Sequence, residues 1–222
     1  MEVAMKLKAP VVLLIVFSTL ACTPILFSVN LEYQARRLYP QFKISQPIIV
    51  TVSTFEDNRH LDDKTVIGWV TTQKGQRIPI IPKFINPNQA VVEPIKVFIQ
   101  RLGFTVLSPS PSWNLKESDI DKKWGRLLIG GSIEALEIQV EEAFPLHKYH
   151  TRVKLTLTFA DPSTQKIIYT FNTESMNSLS YPLLSEQKME ELINSALTEA
   201  LDRIFENSKV KEILEHTAIG NS

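Results

Sequence analysis

Few side chains in this sequence stand where bond-making chemistry could be assembled. The run PLHKYHTR places His147 and His150 three apart, with Glu141 and Glu142 close upstream. Two imidazoles joined by a carboxylate form a divalent-metal ligand set, whereas two surface histidines in a hairpin connection need no ion. The solvated connection is the preferred reading, so no metal and no cofactor is assigned. Asp57 and Arg59 follow the first strong strand signal, and a loop at a strand end can carry a site. An ion pair closing a turn around Asn58 is the preferred reading. Trp69, Trp113 and Trp124 fall in or near connections, where an exposed indole marks a partner surface and a buried one is core. Asp57, Arg59 and Trp69 are therefore kept as candidate interaction residues. The sequence contains no G-x-S-x-G, P-loop, G-x-G-x-x-G or H-E-x-x-H pattern. Nothing singles out a nucleophile, so no catalytic residue is assigned and no enzyme is expected.

The remaining reactive group is Cys22. It is the only cysteine, which excludes an intramolecular disulfide and any multi-cysteine metal site. It closes a segment ordered like a secretory signal: Lys6 and Lys8, then the apolar run Val11 to Phe17, then small residues up to Ala21. Met5 is an alternative start. The run Thr19-Leu20-Ala21-Cys22 resembles the lipobox of bacterial lipoproteins. That resemblance implies a lipid on the Cys22 sulfur, cleavage before it and acylation of the new amine. One acyl chain holds a protein only marginally and two or more hold it stably, at about 0.8 kcal/mol per buried CH₂. The competing reading is an uncleaved span over residues 9 to 29, near the roughly 20 residues that cross a bilayer. Pro24, Thr23 and the Ser18-Thr19 pair interrupt that span, and the cysteine sits where a lipobox needs it. Thr23, where an aspartate would favour inner-membrane retention, points by the sorting rule of such lipoproteins to the outer membrane, facing the periplasm.

The elements that must carry these residues follow from periodicity. Residues 1–21 form the signal and 22–47 a lipidated N-terminus and linker, broken by Pro40 and Pro47. Extended, residues 23–47 would reach about 80 Å, and a compact course along the domain is equally open. IIVTVSTF (48–55) predicts a strand, and VIGWVTTQKGQRIPII (66–81) a hairpin about Lys74-Gly75. Val91, Val92, Ile95, Phe98, Ile99 and Leu102 recur at helical spacing, with Asn88 as N-cap, Gly103 past the end and a break or late start at Pro94. A short strand follows in GFTVL, and 108–125 is a long connection. In RLLIGGSIEALEIQVEEAF (126–144) the apolar parity slips near Glu134 to Leu136, which predicts a β-bulge. Gly130-Gly131 within it suggests a close helix approach. RVKLTLTF and IIYTFNTES flank the turn at 160–166, with Ile167, Tyr169 and Phe171 sharing a face. Met189, Leu192, Ile193, Ala196, Leu197, Ala200, Leu201, Ile204 and Phe205 form a core stripe opposite Glu190, Glu191, Asn194, Thr198, Asp202 and Arg203. The expected architecture is α+β: one domain over 48–207, a mostly antiparallel sheet with two helices on one face, and a polar tail at 208–222, in which Val210, Ile213 and Leu214 offer an extension of the last helix. Lysine plus arginine equals aspartate plus glutamate at 24 each, so no nucleic-acid partner is expected.

In this order the segments resemble the YajG family of bacterial lipoproteins. The resemblance rests on the lipidation signal, Asp57-Asn58-Arg59, Ile67-Gly68, Gly103-Phe104, LIGGSIEALEI, RVKLTLTF with KIIYTF, and LINSALTEALDRIF, across residues 48 to 206. It implies a non-catalytic envelope lipoprotein, anchored to the membrane by its lipid. Similar folds assist transporters, secretion pores or cell-wall synthases, so an envelope protein partner is expected. A carrier of lipid or another apolar ligand is the alternative and predicts a lined cavity of roughly 300–1,000 Å³.

Overall fold

The computed structural model describes residues 26–35, 38–44 and 46–219, so Cys22 and the signal lie outside the described residues. Its organising element is one long strand, β7 (Leu127–Glu141), against which every other part of the sheet is placed. Along one edge β7 pairs antiparallel with β8 (His147–Asp161), which pairs antiparallel with β9 (Lys166–Tyr181). The other edge is shared in succession by three short strands, all parallel to β7. β2 (Ile49–Val52) takes Leu127 to Ile129, β3 (Glu56–Asp57) takes Ser132 and Ile133, and β4 (Gly68–Thr71) takes Ile138 to Glu141. β4 turns into antiparallel β5 (Arg77–Pro82), β5 carries parallel β1 (Phe27–Val29), and β2 carries parallel β6 (Thr105–Val106).

The sheet is thus mixed, where a mostly antiparallel one is expected from the sequence. The hairpin signals near the C-terminal half are antiparallel as read. The early strands reach β7 and each other through long connections, one of them containing α1 (Pro87–Arg101), and such crossovers deliver parallel pairs. The predicted bulge is present as a register shift between Ile133 and Ala135. A second shift, between Phe159 and Ala160, separates the faces of Ile167 and Tyr169, which the sequence places together. Tyr169 packs with the main core, and Ile167 joins Trp113, Ile120, Leu128 and Ala160 on the opposite face.

Among the described residues three α-helices, not the expected two, cover the main core face. α1 begins two residues earlier than predicted: Asn86 is the N-cap, in a capping box with Gln89, and Pro87 fits the first turn, where no N–H is needed. Asn88, the expected cap, instead bonds the backbone of Phe55. The helix continues through Pro94 and stops before Gly103, whose φ of +104° suits a residue without Cβ. α2 (Glu186–Glu206) carries the predicted apolar stripe, capped by Ser185. α3 (Ser208–Ile219) occupies the stretch read as a polar tail, because Val210, Ile213 and Leu214 are buried against the same core.

The paired glycines of β7 make room for aromatic rings, not for a helix. A Cβ on Gly130 would stand 2.5 Å from the Trp113 ring, and one on Gly131 would stand 2.5 Å from the Phe55 ring. The connection 107–126 therefore folds back on the sheet face opposite the helices, with Trp113 fully buried and its indole N–H donating to the Lys116 carbonyl at 2.9 Å.

Candidate functional site

The most developed polar arrangement is one the sequence reading passed over. After β1 the chain runs extended along α2, and alternate backbone N–H groups donate to side chains one helical turn apart. Ser28 donates to Glu186 at 2.6 Å, Asn30 to Glu190 at 2.8 Å, Glu32 to Asn194 at 2.9 Å and Gln34 to Thr198 at 3.0 Å. Asn194 donates in return to the Asn30 carbonyl at 2.9 Å, and the Tyr33 hydroxyl donates to Asp202 at 2.8 Å. Two residues of extended chain advance about 6.6 Å and four residues of helix about 6.0 Å, so the two ladders stay in step over this length. Between the bonded positions Val29 and Leu31 point into the core. Burial and the acceptor Asp202 push the Tyr33 phenol above its ordinary range. The Ser28 N–H, outweighing burial and helped by Lys83, holds the Glu186 carboxyl below its ordinary range.

This strap closes the choice left open for residues 23–47: the described part takes the compact course. Beyond it Tyr39 meets Phe98 edge-on, with ring centres 5.0 Å apart, and the Phe42 N–H donates to the Leu102 carbonyl at 2.9 Å. The signal was present in FSVNLEYQ, which alternates apolar and polar residues, and in the acceptors Glu186, Glu190, Asn194, Thr198 and Asp202 at a strict spacing of four.

Asp57 and Arg59 do form the ion pair, and Arg59 is almost wholly buried at 3% exposure. Its Nε donates to one Asp57 oxygen at 2.9 Å and its terminal nitrogen to the other at 2.7 Å. The remaining donors reach the carbonyls of Val66 at 3.0 Å and Lys64 at 2.6 Å, and the Lys64 ammonium bonds the Arg59 carbonyl. Burial pulls the Asp57 carboxyl upward, yet the Arg59 bonds and charge, with Lys64, hold it below its usual range. Arg59 thus clamps the 57–66 loop from inside.

Trp69 is half-buried with the Arg77 guanidinium 4.5 Å over its ring. It pairs with Gln139, six residues along β7 from Ile133, the partner of Asp57. About 20 Å of strand separates those positions, so the three candidate residues do not make one site. His147 and His150 lie in β8, not in a connection. Residues three apart on a strand point to opposite faces, so the pair does not converge on one ion. His147 accepts the Ala143 N–H at 3.3 Å, and His150 meets the Ser178 hydroxyl at 2.9 Å. Among the described residues no cluster of three His, Cys, Asp or Glu side chains could hold a metal, and no helix is long and apolar enough to cross a membrane.

An open groove of about 370 Å³ runs between the end of the strap and α1, with Tyr33, Tyr39, Pro94, Val97 and Phe98 in its walls. The void beneath, among Ile95, Ile129, Leu157 and Leu214, is about 10 Å³. The packed interior leaves no ligand chamber there.

No protein-family model matches the chain, and no curated protein does. The likeness to the YajG family therefore has no family match behind it. Solved structures do resemble it in chain course. A Helicobacter pylori protein, described as a neuraminyllactose-binding hemagglutinin homolog, is 17% identical with a TM-score of 0.48, over 84% of this chain and 97% of that one. A Xanthomonas campestris protein of the DUF330 family is 10% identical with a TM-score of 0.46, over 85% and 99%. A lipoprotein of Neisseria meningitidis is 7% identical with a TM-score of 0.36, over 70% and 99%. At that distance none of them carries a function across.

Proposed function

We propose that the chain is a lipid-anchored accessory module of the bacterial cell envelope, tethered through Cys22 and acting by contact instead of catalysis. Its partner is an envelope complex of transport, secretion or cell-wall assembly, and its seat is the outer membrane, facing the periplasm. The observation that carries this reading is the strap. The chain that follows the lipobox is bonded turn by turn to α2, so an anchor at Cys22 becomes an anchor of the whole domain. The polar candidates Asp57 and Arg59 are meanwhile spent on holding a loop, with each guanidinium nitrogen of Arg59 already bonded.

The test is the mass of the N-terminal peptide from membrane-purified protein, beside a Cys22→Ala control. A peptide beginning at Cys22 and carrying diacylglyceryl plus acyl mass is expected, with the control lost from the membrane fraction. An intact N-terminus with an unmodified thiol overturns the anchor. Crosslinking in intact envelopes then identifies the partner.

One observation favours the carrier alternative. The groove between strap and α1 has a mainly apolar lining and falls in the size range of small-molecule sites. Native mass spectrometry of protein released gently from membranes decides it: a stoichiometric lipid adduct lost on Val97→Arg supports a carrier, and bare protein removes it.

A further inference from the structure

The chain enters the domain at one particular end. β1 runs the same way as β5, away from the β4–β5 turn, so Leu26 and Phe27 stand on the side of that turn. Glu141 pairs with both Thr71 and Lys148, and His147 with Tyr181. The turns at 72–76 and 142–146 and the β9–α2 junction therefore share this end. Phe144 is 92% exposed there and Leu183 62%, with Leu26, Leu146 and Leu179 also open to solvent. The apolar groups are held in place. The Tyr149 hydroxyl donates to the Leu183 carbonyl at 2.6 Å, and the Ala143 N–H donates to His147 to close the hairpin. Tyr181 adds an aromatic ring, with the Lys188 ammonium 4.9 Å from its centre.

We propose that this end seats on the bilayer surface, with Phe144 and Leu183 entering the boundary between headgroups and acyl chains. The proposal rests on the lipid anchor at Cys22. Only four residues lead from Cys22 to Leu26, a reach of about 14 Å fully extended. A headgroup layer takes about 5–7 Å of that, so the domain cannot stand far off the membrane. Tether exit and exposed apolar side chains coincide, and that coincidence selects a lipid surface as the occupant. Apolar side chains carry the contact: Lys148 is paired with Glu141 at 3.4 Å and Lys188 with Glu191 at 2.9 Å, and exposed Lys74 in the 72–76 turn adds a single charge. The turn between β8 and β9, beside exposed Ile168, lies at the far end and faces away.

An acylated Cys22 has no free thiol, so a cysteine introduced elsewhere becomes the only labelling site. Full-length Phe144→Cys, Leu183→Cys and, as a far-end control, Ile168→Cys proteins would carry an environment-sensitive fluorophore. They would be reconstituted in phosphatidylcholine vesicles with and without phosphatidylglycerol. The expected result is blue-shifted emission at 144 and 183, quenched by doxyl-labelled lipid and equal in both compositions, with the 168 label unmoved. Labels at 144 and 183 as water-exposed as at 168, on a chain whose Cys22 is acylated, overturn the seating while leaving the anchor intact. Shielding that lipid-borne quencher does not reach means a second copy covers this end, which also overturns it. A Cys22 that itself takes the label overturns the anchor, and the seating with it.

Discussion

The side-chain amide of Asn194 donates to the carbonyl of Asn30 at 2.9 Å, across 164 residues of sequence. Its oxygen takes the Glu32 N–H at the same distance, so one buried side chain joins two strap residues to α2. A side-chain amide donates from one prong of its fork and accepts at the other without carrying charge.

Asn194→Ala takes from the Asn30 carbonyl and the Glu32 N–H their partner on α2. A buried polar group without its partner costs about 1–3 kcal/mol. The expected outcome is a loss of that order in denaturant unfolding, with faster amide exchange at Glu32. Glu191→Ala, on the exposed side of the same helix, is expected to stay within about 0.5 kcal/mol of the parent. Equal effects of the two substitutions would remove the strap as a structural element.

Acid should loosen the first rung locally. The Glu186 carboxyl lies below its ordinary value because it accepts the Ser28 N–H, with Lys83 3.5 Å away. A depressed folded value means the stabilisation is full above the unfolded value, about 4.3, and fades as pH falls through the lower folded one. Asp57 and Glu199 are depressed too, the first by Arg59 against its burial and the second by the Ser175 hydroxyl. Asp63, Glu117, Asp119, Asp161 and Glu212 are held low as well, so a global melt would mix all of these. The discriminating measurement is exchange of the Ser28 amide, corrected for intrinsic rate, which should stay protected to about pH 5 and lose protection below about 4.3. In Glu186→Ala that pH step should vanish.

Gly130→Ala tests the aromatic filling of the sheet face opposite the helices. The added carbon would lie 2.5 Å from one Trp113 ring carbon and 2.9 Å from another. Overpacking of this kind costs about 1–3 kcal/mol. Trp113→Leu destabilises through its own lost burial, yet it should lower the cost of the added methyl, leaving only the Ser53 hydroxyl oxygen at 2.7 Å to give way. A double-mutant cycle is expected to show coupling of at least about 1 kcal/mol. Strict additivity would mean that the ring does not press on Gly130.

What the sequence disclosed depended on whether a segment's partner was local. The β7 bulge, the 160–166 turn and the α2 stripe were legible because each is written in neighbouring residues. The strap was not. Its alternation was visible in FSVNLEYQ, but those N–H groups are satisfied by side chains about 160 residues away, and a polar row on a helix ordinarily faces water. Strand direction was hidden for the same reason, since β2, β3 and β4 take their sense from crossovers and not from their own residues. Ile167 failed differently: one unpaired residue at Ile168 reversed its face, and a bulge beside a turn leaves no parity run long enough to reveal it.

The Asp57–Arg59 pair separates a structural clamp from a docking site. A surface recognition pair would tolerate removal without loss of stability, whereas this guanidinium is buried and carries the 57–66 loop on the carbonyls of Lys64 and Val66. Asp57→Ala leaves a buried cation uncompensated, for which about 3–5 kcal/mol is the usual cost. Arg59→Lys keeps the charge but loses the two-pronged geometry, because an ammonium cannot meet both carboxylate oxygens and two carbonyls in one plane. It should cost about 2 kcal/mol or more, within the range for lost charge-assisted bonds. Arg59→Met with Asp57→Leu removes both charges and should recover part of the loss. These are equilibrium unfolding measurements, read beside exchange of the Val66 amide. Wild-type stability in Arg59→Lys would mean that Arg59 is held for a partner and not for the loop.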